Sequence, residues 1–192
     1  MLSNSHRCEL PSEQQHYLLE LARLSIRHGL EHDQPLQVEL ATLPQALQEP
    51  RATFVTLKKE GQLRGCIGCL QACRPLARDV AINAFSAAFH DPRFSPVTAD
   101  ETDRLEIHLS LLTPPEPLVY TSEADLLAKL RPGEDGVILE EGTMRGTFLP
   151  SVWEELKNPV EFLAHLKCKA GLHANYWSET LKVYRYQAEL ID

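Results

Sequence analysis

Residues 51–68 read RATFVTLKKEGQLRGCIG. Thr53, Val55 and Leu57 alternate with Ala52, Phe54 and Thr56, and KKEG (58–61) supplies a turn, so the stretch predicts a β-hairpin. A second hairpin is predicted in GVILEEGTMRGTFL (136–149), turning at Glu141 and Gly142. Hairpins imply antiparallel pairing. LEIHLSLL (105–112) adds a strand, with Leu105, Ile107, Leu109 and Leu111 facing one way and Glu106, His108 and Ser110 the other. LKVYRYQAELI (181–191) reads as one more, with Tyr184, Tyr186, Ala188 and Leu190 on one face.

Helical segments separate these strands. Ser12 with Gln15 reads as a capping box, Leu18, Leu21, Leu24 and Ile26 follow as an apolar stripe, and Gly29 supplies a stop. The stretch to Pro50 is irregular, with one short helical turn. Pro75 sits where a helix takes its first residue, LARDVAINAFSAAF (76–89) follows, and the helix ends before the proline-punctuated HDPRFSP. Ser122 with Asp125 opens a short helix to about Leu130. Asn158, Pro159, Glu161 and Gly171 mark both ends of another. Helices interspersed with hairpins make the fold α+β rather than a doubly wound parallel sheet.

The chain has 192 residues and an apolar fraction of 43%, enough for one domain with a core. Nineteen basic against 27 acidic residues give a net charge of -8. Proteins that coat nucleic acid carry the opposite excess, so a phosphate-binding role is not supported. No apolar run has the length of a membrane span, and the first 15 residues lack the basic start and apolar stretch of a secretory signal. Together with an odd cysteine count of five, this predicts a cytoplasmic protein without a disulfide framework.

The end of the first hairpin, LRGCIGCL (63–70), carries the chemistry. Strand alternation puts Arg64, Cys66 and Gly68 on one face. A fixed cation beside a thiol favours the thiolate, and Gly65 and Gly68 let a ligand or another backbone come close. The competing reading makes Cys66 a small buried hydrophobe. His90 is a candidate base for Cys66. Asp91 and Arg93 are placed near the same face or, more simply, in an Asp-Pro turn held by a local ion pair. Thr147 is a second-hairpin residue that could shape a cleft, and His108 reads as a solvated polar position. Cys66, Cys69 and Cys73 suggest a redox pair or half a zinc site, but no second paired motif follows, and the spacing is not that of a radical-generating iron–sulfur cluster. No metal set and no cofactor are indicated.

Leu63–Gly68, LRGCIG, together with DPRFSPVTADETDRLEIHLSLLTPPEPL, GEDGVILEEGTMRGTFLPSVWEEL, FLAHLKCKAGL and Trp177, resembles the AMMECR family over nearly the whole chain. The bacterial form of the family that it resembles looks like system protein A of the AmmeMemoRadiSam trio. The resemblance implies a single domain over residues 1–192, two-lobed, with antiparallel sheets flanked by helices. It places the N- and C-terminal segments in the larger lobe, a middle segment in the smaller, and LRGCIG near the cleft between them. The partners it implies are a Memo-like protein and a radical SAM protein. It implies no settled reaction: a cysteine-dependent enzyme or enzyme component, a non-catalytic ligand- or partner-binding adaptor, and a cysteine-based redox or metal protein all stay open. The chain departs from the family at Cys69, where threonine or serine is common, and Cys73 is peculiar to it. Cys66 is therefore the cysteine that the motif carries.

Overall fold

The structure is a computed structural model and describes residues 10–192. Most of the N-terminal stretch read for a secretory signal, and Cys8, lie outside the described residues. Two compact units form. One takes the chain up to Leu112 and regains it at Glu189–Asp192; the other is Thr113–Ala188.

The first unit contains α1 (Ser12–His32), a short α2 (Gln45–Gln48), β1 (Thr53–Lys59), β2 (Gln62–Gly68), α3 (Leu76–Phe89) and β3 (Leu105–Leu112). Its sheet has the order β2-β1-β3-β8, where β8 is Ala188–Ile191. The hairpin β1–β2 turns through Glu60 and Gly61, both at positive φ (54° and 74°), as a two-residue turn matched to strand twist requires. Val55, Leu57, Leu109 and Leu111 are fully buried on the face covered by α1 and α3. Each such side chain stabilises the fold by roughly 1.5–3 kcal/mol relative to exposure.

Two expectations for α1 are corrected. Ser12 is its first helical residue and not a capping side chain; Pro11 precedes it, and Gln15 Nε2 donates to the Leu10 carbonyl (2.8 Å). Gly29 does not stop the helix, which continues a further turn to a left-handed Asp33 (φ 53°). A Cβ on Gly29 would lie 2.5 Å from the Phe89 ring and 2.6 Å from that of Phe85. Glycine there permits close helix–helix packing.

The second unit holds β4 (Glu116–Pro117), α4 (Glu123–Lys129), β5 (Gly136–Glu141), β6 (Met144–Phe148), α5 (Pro159–Lys169) and β7 (Lys182–Tyr186), with sheet order β4-β7-β5-β6. Ser122 caps α4 by accepting Asp125 N–H (3.1 Å), and Asn158 caps α5 by accepting Val160 N–H (2.8 Å). Trp153 stacks on Phe162 (3.7 Å between centroids, 2° between planes) and donates its indole N–H to the Asp135 carbonyl (2.7 Å). Lys167 is buried beside Glu123.

The last expected strand is two strands in two sheets. Gln187 interrupts it, its carbonyl accepting Thr113 N–H (2.9 Å) and its N–H bonding Thr113 Oγ1 (2.8 Å). β7 therefore stays in the second sheet and β8 joins the first. Among the described residues, no helix is long and apolar enough to cross a membrane.

Candidate active site

β2 is an edge strand, so one row of its backbone groups has no strand to pair with. The loop after α3 supplies the missing partners at one residue. Asp91 Oδ2 accepts the N–H of Cys66 (2.8 Å), and Arg93 Nη2 donates to the Cys66 carbonyl (3.4 Å). The pair is locked to itself, Arg93 reaching Asp91 through Nη2 (2.7 Å), Nε (2.9 Å) and its own N–H (3.1 Å). Asp91 is buried while Arg93 is half exposed. The Arg93 guanidinium holds the Asp91 carboxyl well below the usual carboxylate range, against the opposing effect of burial and with help from the Cys66 N–H. Arg93 is in turn held charged by Asp91.

Arg64 is drawn elsewhere. The register of the hairpin steps between Leu57 and Lys58: Leu57 opposes Gly65 and Lys58 opposes Leu63, leaving Arg64 with no residue opposite. This bulge breaks the alternation that placed Arg64 and Cys66 on one face. The guanidinium spends its donors on Glu101 Oε1 (3.2 Å) and Oε2 (2.9 Å) and on the carbonyls of Ser95 (2.9 Å) and Pro96 (3.3 Å). Lys59 binds the same carboxylate (2.7 Å). Arg64, then Lys59, hold the Glu101 carboxyl well below its usual range. Arg64 thus fastens the 95–101 loop, and the arginine that reaches Cys66, at its backbone carbonyl, is Arg93.

The two glycines also have internal partners. A Cβ on Gly65 would lie 2.1 Å from the Ala87 carbonyl oxygen on α3. One on Gly68 would lie 2.3 Å from the Thr53 carbonyl and 2.4 Å from the Phe54 ring. Of the two neighbours that glycine permits, ligand or backbone, the protein's own backbone fills the place at both positions.

What the motif leaves without a bracing role is the thiol of Cys66. It is half-buried, and its sulfur lies 3.3 Å from Thr56 Oγ1 on the adjacent strand. Thr56 opposes Cys66 on one side and His108 of β3 on the other, so the three share one row and one face, opposite the helices. His108 Nδ1 meets Asp192 Oδ1 at 2.5 Å, and its Nε2 is buried without a hydrogen-bond partner. Glu106 Oε2 is 4.0 Å from that nitrogen. His90, the histidine singled out by sequence, is exposed at the end of α3 with its ring edge-on to Phe85 at 4.9 Å.

Sequence reading passed over His108 because it occupies a polar position of an alternating strand. The signal that finds it is the pairing of Thr56 with both neighbouring strands, which requires the register. Thr147 belongs to the second unit. Its hydroxyl donates to the Val137 carbonyl (3.0 Å) and lies 3.1 Å from that of Tyr186, which donates to the Phe148 carbonyl (3.1 Å). Burial pushes Tyr186 up to about 12, against a hydrogen bond from Thr147. Cys66, Cys69, Cys73 and Cys168 are free thiols. Among the described residues, no group of three or more His, Cys, Asp or Glu is arranged to hold a metal ion.

Comparison with known proteins gives this architecture relatives. A protein of Methanothermobacter thermautotrophicus is 41% identical over 175 residues, covering 90% of this chain and 91% of its own. One of Thermofilum pendens is 38% identical over 193 residues, covering 94% and 90%. The crystal structure of an uncharacterized protein from Pyrococcus horikoshii superposes with a TM-score of 0.85 at 36% identity, covering 94% of this chain and 92% of that one. The AMMECR1 family model matches residues 19–191, and the chain belongs to that family.

Proposed function

We propose that the protein is a cysteine-dependent enzyme, or the cysteine-bearing component of one, with Cys66 as its nucleophile. The observation that carries the reading is the division of labour inside the motif. Arg64, Gly65, Gly68, Asp91 and Arg93 are each engaged in packing, bracing or edge closure. The Cys66 thiol alone is left half-exposed on the sheet face opposite the helices, with a hydroxyl at hydrogen-bonding distance and the Arg93 guanidinium on its own backbone carbonyl. Nucleophilic thiols are found in such partly exposed, electropositive surroundings. The reading extends the resemblance to the bacterial trio: the thiol is this chain's contribution to a modification pathway shared with a Memo-like and a radical SAM protein. The protein works in the cytoplasm, where such a thiol stays reduced.

The test is alkylation by iodoacetamide at neutral pH, resolved cysteine by cysteine by peptide mass spectrometry. Half-buried Cys66 is expected to label about tenfold faster than half-buried Cys69, and unfolding in urea is expected to abolish the difference. Labelling of Cys66 no faster than Cys69 in the folded protein would sink the enzyme reading and make the thiol a packing group.

A further inference from the structure

We propose that His108 accepts the proton of Cys66 through the hydroxyl of Thr56, so that one cross-strand row, Cys66–Thr56–His108–Asp192, is the proton-handling unit of the site. The inference rests on the nucleophilic reading of Cys66 and adds to it the group that takes the proton.

The register supplies the order. Thr56 stands directly opposite Cys66 on β2 and directly opposite His108 on β3. Directly opposed residues of antiparallel strands have Cβ atoms about 4.5–5.5 Å apart, within reach of a hydroxyl and an imidazole. The thiol and the imidazole are two strands apart, roughly 9–10 Å at the backbone, too far for the direct bond of an adjacent cysteine–histidine pair. A hydroxyl between them can bridge that gap: one end is in place at 3.3 Å from sulfur, and the other has to close on Nε2, which has no hydrogen-bond partner in the structure. A hydroxyl both donates and accepts, so it passes a proton without a net change of its own.

The far end is prepared to receive it. Asp192 takes Nδ1 at 2.5 Å, which fixes that nitrogen as the N–H donor and leaves Nε2 with its lone pair. Nε2 is buried and has no hydrogen-bond partner, so its lone pair is not committed to another group. In the transfer the S–H bond breaks and its proton goes to Thr56 Oγ1, while the proton already on Oγ1 goes to His108 Nε2. Thiolate and imidazolium result, and Thr56 is unchanged. Asp192 stabilises the imidazolium.

The charged neighbours on every side are compatible with that direction. Glu106 on β3 places a carboxylate oxygen 4.0 Å from Nε2. Lys58 on β1 stands opposite Glu106, in the next row. Beside Cys66 the charged groups are Arg93 and Asp91, which pair with each other and hold its backbone carbonyl and N–H. His108 is thus a positioning residue that acts on Cys66 through Thr56.

The experiment follows the pH profile of Cys66 alkylation between pH 5 and 9.5 in the full chain and its variants, with circular dichroism to confirm folding. His108→Gln and Thr56→Val are each expected to slow labelling at pH 7 by about tenfold or more and to converge at high pH, where hydroxide removes the proton; Thr56→Ser is expected to restore the wild-type profile. In parallel, the ¹⁵N shift of His108 Nε2 is expected to move when Cys66 is alkylated, a readout that needs no substitution. If wild-type Cys66 labels no faster than Cys69, the nucleophilic reading falls and the relay with it. If wild-type Cys66 labels fast and neither variant nor the Nε2 shift changes anything, the relay alone is overturned. Should Thr56→Val fail to fold, Thr56→Ser, His108→Gln and the Nε2 shift decide.

Discussion

The carboxylate of Asp91 accepts the backbone N–H of Cys66 at 2.8 Å, from a loop 25 residues further along the chain. The motif cysteine is therefore clamped through its backbone, and its side chain meets the Thr56 hydroxyl at 3.3 Å. An edge strand is finished by an Asp–Arg pair in place of another strand, and the sulfur remains free to face outwards.

Removing that clamp should be felt first at Cys66. Asp91→Ala leaves the N–H of Cys66 without its acceptor and Arg93 without its anion, and is expected to cost about 1–3 kcal/mol. Hydrogen exchange at the Cys66 amide should accelerate by more than the change in global stability explains, and equal acceleration at Val55 would contradict the local role. Asp91→Asn, which keeps one acceptor oxygen, should cost less.

Acid should weaken the same region. Asp91 and Glu101 both have folded-state carboxyls held below their unfolded values, the first by Arg93 and the second by Arg64 and Lys59. Their stabilisation is fully present above the unfolded values, roughly 4, and is lost as pH falls through that value toward the lower folded ones. Urea unfolding from pH 7 to pH 2 should show stability declining below about pH 4–5, and the double variant Asp91→Asn/Glu101→Gln should flatten that decline. An unchanged slope in the double variant would assign the acid sensitivity to other carboxylates.

The two arginines should separate in their effects. Arg64→Ala is expected to release the 95–101 loop, seen as faster exchange at the Thr98 N–H, which Glu101 accepts at 3.1 Å. Arg93→Ala is expected to slow Cys66 alkylation, because the guanidinium sits on the Cys66 carbonyl and holds Asp91 against the Cys66 N–H. The opposite assignment of effects would restore Arg64 as the cation of the thiol.

Glycine replacements should rank by what lies over them. Gly65→Ala drives a methyl to 2.1 Å from a helix carbonyl oxygen, a rigid neighbour, and is expected to cost about 3 kcal/mol or more. Gly142→Ala meets nothing within 4 Å and carries only the strain of φ 59°, about 1–2 kcal/mol. Thermal melts of the two variants give the comparison directly; equal costs would mean that strand β2 shifts away from α3.

Lys167→Met should behave unlike an ordinary loss of an ion pair. Lys167 is 1% exposed while its partner Glu123 is 42% exposed, so the carboxylate left behind can hydrate. The change is expected to fall within about 1 kcal/mol of wild type, because an apolar side chain of similar volume no longer desolvates an ammonium. A loss of several kcal/mol would show that Glu123 depends on the lysine for its place.

Local signals told most of the fold: the Glu60–Gly61 turn, the alternation of Leu105–Leu111, the Asn158–Pro159 helix start. Each is decided by a few neighbouring residues. Failures came where a distant partner sets the outcome. Gly29 looks like a stop until Phe85 and Phe89 are packed upon it. The strand 181–191 reads as continuous until Thr113 takes Gln187 and divides it between two sheets. Within the site, Cys66, Asp91 and Arg93 were legible from their motifs. Arg64 was displaced by a bulge that alternation cannot reveal, and His108 is distinguished from other exposed histidines only by the residue across from it. A row is a property of register, and register is written by three strands at once.

Glu189 accepts the N–H of Leu10 at 3.0 Å and binds Arg51 at 3.0 Å, across 179 and 138 residues of sequence. β8 therefore reaches the first sheet only after the whole 113–188 unit has been synthesised. A nascent chain emerging from the ribosome can complete the second unit while the first still lacks its last strand. Loss of residues 189–192 would accordingly fall on the first unit, far along the chain from most of its residues, and on Asp192 with it.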